Sequence, residues 1–233
     1  MPEANPITTL DIKPNGLGAS LSVNFLTVPR YQRAYSWDEE DVRNFLADIN
    51  SAFSNGEAEY FLGSIVLQGV DTEFEVVDGQ QRLTTATIFI AAARDLLRAK
   101  GQPEVATALE TQYLLKTDTW SQQKRAKLTL SVYDNDFYLQ TVLLCEMAVA
   151  PMRESHQRVA KAKLVCAQFL ESLVTSHADW FDRLRKLMLY LEHKASRTEC
   201  VKAFSPLLRS EGRKWYLSSE GKIMHLMHLM QRA

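Results

Sequence analysis

The chain has 233 residues, 46% of them hydrophobic and 24% charged, with a formal net charge of −1. That is the make-up of an ordinary globular protein, long enough for one large domain or two small ones. No apolar run approaches the ~20 residues that a membrane span needs, and the opening Met-Pro-Glu-Ala-Asn-Pro is no secretory leader, so a cytoplasmic protein is expected. Cys145, Cys166 and Cys200 are too widely spaced for a zinc knuckle and read as buried free thiols of a reducing compartment. The charge is uneven, with 16 Lys and Arg against 22 Asp and Glu over residues 1–175, and 11 against 6 over residues 176–233. The basic end permits contact with nucleic acid but does not by itself argue for it.

Residues 1–20 are punctuated by Pro, Asn and Gly, so an irregular N-terminus is expected. Leu21–Val28 can supply a short strand. Val28 to Trp37 then packs two arginines, a glutamine and three large aromatics into ten residues, with Pro29 forcing extended geometry. Such a segment is either a lid of aromatics laid on the core or one wall of a site for anions and bases, since guanidinium groups and rings both suit nucleotides. Ser36-Trp37-Asp38-Glu39 has capping-box spacing and starts a helix that buries Val42, Phe45, Leu46, Ile49 and Phe53 and stops at Asn55-Gly56. The carboxylates at its start match the helix dipole better than they match a metal site.

Phe61–Leu67 reads as a buried strand in which Gly63 suggests close backbone approach. Gly69 to Thr72 turns the chain back into Phe74–Val77, which predicts a hairpin. Asp78-Gly79 then leads into a long helix from Gln80, with Leu83, Ala86, Phe89, Ile90, Ala93, Leu96 and Leu97 on one side and Gln80, Thr84, Thr87, Asp95 and Arg98 on the other. Asp78 is an N-cap residue type and Gln81 has capping-box spacing from it. Arg82 does not fit that account. A cation in the first helical turn faces the positive end of the dipole, so it wants an anion, either Asp78 or a bound group such as phosphate.

Beyond Gly101-Gln102-Pro103 the pattern is mainly helical: Glu104–Leu115, Asp134 or Asn135 to Leu144, Ser155–Val174 and Ala178–Leu191, with a last short strand over Lys127–Val132. The stripes of these helices are core. From Ala195 the pattern weakens, and a tail less stably packed than the body is expected. His225 and His228 stand three apart, but no third ligand is near, so no metal site is assigned. A P-loop, a nucleophile elbow and a His-Glu-x-x-His motif are all missing.

VPRYQRAYSW at 28–37, YFLGSI at 60–65 and VDGQQRLTT at 77–85 together resemble the N-terminal domain of the GmrSD-type modification-dependent restriction endonucleases. The resemblance is read over residues 20–175 and is no longer seen from about His177. It implies a ParB/sulfiredoxin-like α+β fold, with a small mixed sheet and flanking helices followed by a mainly helical part. The corresponding division is an irregular stretch 1–20, a nucleotide-binding core 21–100, a helical part 101–194 packed on it, and a divergent tail 195–233. It also implies binding and hydrolysis of GTP or another NTP, with Mg2+, as a sensor step in the restriction of modified phage DNA. On the matching positions Asp78, Gln81 and Arg82 would be catalytic. Gln32, Arg33, Gly63, Asp78, Gly79, Gln80, Gln81, Arg82 and Thr84 would bind the nucleotide. The Phe-Glu-x-Leu-Asn-x-Arg-Gly segment and the His-Asn-His nuclease domain usual in the family are not found. A truncated or frame-shifted gene, or a separate nuclease subunit, is the expectation that follows. The competing reading is a ParB-like module that binds DNA or nucleotide without hydrolysis.

Overall fold

The computed structural model of the protein describes residues 8–13, 16–58, 60–145, 149–193, 195–203, 215–217 and 223–225. The chain divides into two compact units, one spanning residues 9–202 and the other formed by 1–8 with 203–233.

The larger unit is an α+β domain. It opens with β1 (Thr8–Lys13), α1 (Leu17–Val23) and β2 (Phe25–Thr27), followed by α2 (Glu39–Ser54). The hairpin strands β3 (Tyr60–Val70) and β4 (Glu73–Asp78) lead directly into α3 (Gln80–Ala99). After α4 (Pro103–Leu109) come β5 (Leu115–Thr117), β6 (Lys124–Ala126) and β7 (Leu128–Thr129). The helices α5 (Asn135–Tyr138), α6 (Glu154–Ser176) and α7 (Trp180–His193) precede β8 (Ala195–Ala203). Two π-helical turns, Glu110–Leu114 and Leu139–Leu144, continue α4 and α5.

The main sheet has the order β1-β8-β3-β4-β2-β7. Strands β3 and β4 are antiparallel, as the turn signal predicts, with Val70 paired to Glu73 across Asp71-Thr72. Three neighbours are parallel: β2 with β4, β2 with β7, and β3 with β8. A separate two-stranded sheet joins β5 to β6. In the smaller unit β9 (Trp215–Leu217) and β10 (Ile223–His225) pair antiparallel.

The early part of the chain is more regular than its Pro and Gly content predicts. Residues 8–13 form a strand and 17–23 a helix, because Leu17 and Leu21 are fully buried and hold that turn against the core. Helix α2 is capped two residues later than expected. The Asp38 carboxylate accepts from the N–H groups of Glu40 and Asp41, and Asp41 returns the bond to Asp38 N–H, so the box is Asp-x-x-Asp rather than Ser36 to Glu39.

Helix α3 is the axis of the domain. Its spacing predicts one apolar side, yet Gln80, Thr84 and Thr87 on the other side are buried as well. A run of Ala and Thr presents little bulk, so neighbours close on α3 from all round, and a helix covered on every face is an interior one. The thiol of Cys166 is buried as expected, and burial pushes it up to about 12. Cys145 departs from the expectation: it is exposed, since it ends the second π-helical turn with a positive φ of 53°. The first nine residues of the expected tail, 195–203, form a strand parallel to β3 in the main sheet. His225 lies in β10, whereas His228 and most of the remaining tail fall outside the described residues.

Candidate functional site

Strands β4, β2 and β7 run parallel, so their carboxyl ends share one edge of the sheet, the edge at which open sheets take ligands. Thr27 is in register with Glu75 on one side and Thr129 on the other. A cleft of about 420 Å³ opens there, lined by Thr27, Pro29, Arg30, Glu75, Thr129 and Asn135 among others. Strand β4 continues past this level by three residues, which carries the Asp78-Gly79 turn about 10 Å along the same edge.

At that turn the N-cap of α3 is Gly79, with φ 89° and ψ 10°, and no side chain caps the helix. The left-handed backbone suits glycine, and a Cβ would come within 2.9 Å of Ile65 Cγ1. The capping box expected between Asp78 and Gln81 therefore does not form. Leu83 N–H makes the first helical bond, to Gly79 O, which leaves the N–H groups of the first turn without a side-chain acceptor.

The two glutamines point to the Arg30–Trp37 segment instead. Gln81 accepts from Ser36 N–H at 2.9 Å and donates to Ala34 O at 3.3 Å, while Gln80 donates to Arg33 O at 3.1 Å. Gln32 from the segment donates to Val77 O at 2.7 Å. Tyr35 N–H donates to Asp134 Oδ2, the Tyr35 hydroxyl meets Thr85 Oγ1 at 2.8 Å, and Arg158 donates to Ser36 O. Seven hydrogen bonds thus strap the segment over the start of α3. The layout is that of a lid of aromatics on the core with exposed arginines. Tyr35 is buried and Trp37 packs on Phe45 at 5.5 Å, as a lid would, while Arg30, Tyr31 and Arg33 face outward.

Arg82 has a structural role that its place in the sequence conceals. Its guanidinium donates to Leu62 O at 2.8 Å and Ser64 O at 2.7 Å, gripping β3 on both sides of Gly63. Asp78 stands 3.5 Å away, a looser partner. Burial pulls the Arg82 guanidinium below its usual pKa, and the Asp78 charge partly offsets this. Gly63, at φ +98°, makes room for the grip: a Cβ there would lie 2.0 Å from Arg82 Nη1.

The residues read as nucleotide ligands therefore divide by position. Gln32, Gln80 and Gln81 are occupied in holding the segment, and Gly63 and Arg82 in shaping β3. Thr84 is buried beneath the segment. Asp78, whose side chain is 68% exposed, and Arg33 face outward around the turn, while Gly79 between them is buried. Sequence reading missed Asp134 and Arg158, which anchor the segment from a distance, and the cleft residues Glu75 and Asn135. Asp134 looked like a helix start, and only its burial, which no local pattern reveals, shows its use.

Among the described residues no group of three His, Cys, Asp or Glu side chains could hold a metal ion alone, and no helix is long and apolar enough to cross a membrane. A family model described as GmrSD restriction endonuclease, N-terminal domain, matches residues 17–204. The match runs beyond His177, where the resemblance was read to stop, and takes in β8, which belongs to the main sheet. No curated protein matches the sequence.

Proposed function

The chain belongs to the GmrSD restriction endonuclease N-terminal domain family, and from that premise we propose that it is the nucleotide-binding and hydrolysing sensor module of a DNA restriction system, with cutting done by another domain or subunit. The observation that carries the reading is the start of α3. A twenty-residue helix begins at a glycine with no side-chain cap, about 10 Å along β4 from the level of the cleft. Uncapped N–H groups and the positive end of the dipole favour phosphate.

In this reading the phosphates meet the first turn of α3 and Arg33, and the nucleoside lies along the edge toward the cleft. The span of about 10 Å between cleft and turn suits a nucleotide. Mg2+ is compatible with this residue set. It takes one or two carboxylates plus phosphate oxygens rather than a full protein cage, and Asp78 offers one exposed carboxylate at the turn. When bound, the ion would neutralise phosphate charge. Arg82 shapes β3 and can turn its remaining N–H groups to an anion, whereas Gln81 commits both amide atoms to the strap and keeps one N–H and one lone pair. That occupancy favours the second reading, a module that binds nucleotide without hydrolysing it.

Phosphate release from each NTP, with and without DNA, separates the two. We expect release that Asp78→Asn abolishes while the mutant keeps its fold. Tight binding without release, measured by calorimetry, would leave only the binding module. No binding of any NTP at millimolar concentration would reject both.

A further inference from the structure

The strand pair β5–β6 carries a feature that the nucleotide site does not use. Its loop, 118–123, presents Trp120 at 93% exposure, and the indole ring stacks on no other ring among the described residues. The indole therefore offers a large flat apolar face with a polar N–H edge to solvent. The loop is also held in shape. Asp118 Oδ1 accepts from the N–H groups of Trp120 and Ser121 and from the Ser121 hydroxyl, which holds the Asp118 carboxyl below its usual pKa. Across the loop, Asp118 N–H donates to Gln123 O and Gln122 N–H to Asp118 O. The tryptophan is therefore displayed on a preformed turn rather than on a loose end.

The charge around it is positive. Residues 115–127 hold Lys116, Lys124, Arg125 and Lys127 against Asp118 alone, within a stretch, 1–175, that as a whole is acidic by 22 to 16. Arg125 is forked onto Glu73 and Lys124 stands 3.6 Å from Glu110. Lys116 has no carboxylate partner among the described residues. It lies near enough to Lys127 for their like charges to act on one another, and both reach the ring of Phe25, at 5.7 and 5.0 Å. Lys127 is buried and donates to Ser22 O, so Lys116, without a carboxylate, and Lys124, on a loose 3.6 Å pair, are the cations left for an external anion, while the exposed indole on the same hairpin offers a face to a flat partner. Nucleic acid offers both a phosphate chain and flat bases.

We propose that the β5–β6 hairpin is a DNA-contacting element: Trp120 stacks on an unpaired or unstacked base, while Lys116 and Lys124 meet the flanking phosphates. The inference rests on the DNA-acting half of the reading above and is independent of nucleotide binding and hydrolysis. Stacking on an aromatic side chain tolerates any base, and the lysines read only charge, so the contact should be indifferent to sequence. It should also favour single strands, since a paired base must first leave its stack.

The test is fluorescence anisotropy of a labelled single-stranded oligonucleotide and of its duplex, with the full chain and without NTP. Trp120→Ala should bind the single strand about tenfold more weakly and the duplex nearly as wild type. Lys116→Gln should lower the slope of log affinity against log salt by about 0.7 on the single strand. Both side chains are exposed, so melting temperatures should not move, and each variant should titrate with NTP as wild type does. If the wild-type chain binds DNA and Trp120→Ala binds the single strand equally well, the hairpin assignment is wrong and the DNA-acting reading stands. If the wild type binds neither DNA, both fall. A dimer in the wild type that Trp120→Ala dissolves, with DNA affinity unchanged, would overturn the proposal in favour of self-association.

Discussion

Helix α3 carries Arg82 in its first turn and Arg94 in its second half, and the two are answered differently. Arg94 is completely buried: it donates to Leu143 O at 2.6 Å, Val142 O at 3.0 Å, Asp95 at 2.9 Å and Glu110 at 3.2 Å. Arg82 also grips two backbone carbonyls, but its side chain keeps 19% of its exposure and its only carboxylate stands at 3.5 Å. A buried guanidinium with every direction satisfied is a structural clamp between α3 and the second π-helical turn. A half-buried one with donors to spare, at the positive end of a helix, retains capacity for an anion. The proposed nucleotide site sits at the end of α3 where satisfaction is incomplete.

The strongest way to break that contrast is to remove the clamp. Arg94→Ala leaves the Val142 and Leu143 carbonyls without a donor and empties a fully buried volume, while Glu110 keeps Arg98 at 2.7 Å, and is expected to cost about 3–5 kcal/mol in urea unfolding. A loss below about 1 kcal/mol would mean that Arg94 is no more a clamp than Arg82. Arg82→Ala should cost less, about 1–3 kcal/mol for two abandoned carbonyls, and should weaken nucleotide binding at least tenfold, or about 1.4 kcal/mol. Stability lost with affinity unchanged would make the two arginines alike. Arg82→Lys sharpens the point, because an ammonium cannot span Leu62 O and Ser64 O as a fork does.

Gly63→Ala probes the grip from the other side. Its Cβ would collide with Arg82 Nη1, so a loss of roughly 1–2 kcal/mol is expected in the native background and much less in Arg82→Ala. Additive losses in the double-mutant cycle would show that the glycine serves only its own positive φ. The smallest effect is alkaline. The Cys166 thiol is raised from 9.0 to about 12 by burial, so its contribution is complete below pH 9 and fades as pH rises toward 12. Burial also raises Tyr35 and Tyr138, in the same direction. Melting temperature should therefore fall from about pH 9 upward, and Cys166→Ala should flatten that fall by about 1 kcal/mol near pH 10. An unchanged profile in the mutant would assign the fall elsewhere.

Much of the fold was legible in the residues. The β3–β4 hairpin, the long helix from Gln80, the stop at Asn55-Gly56 and the helices from Ser155 and Ala178 follow from apolar spacing and turn residues, which act within a few positions. The VDGQQR turn likewise announced itself, because Gly79 in a left-handed conformation is a local demand that local sequence states. Nothing local could say whom the polar side chains would meet. Gln80 and Gln81 find their partners 47 residues away, Tyr35 N–H finds Asp134 at 99, and Arg82 finds carbonyls of a strand made earlier. Hydrogen-bond donors have no periodicity, and any backbone carbonyl will serve them. Sequence therefore determined which elements form and where the turn lies. Only the tertiary structure decided that most of the motif holds the turn together, buried under the 30–37 segment, while Asp78 and Arg33 face outward.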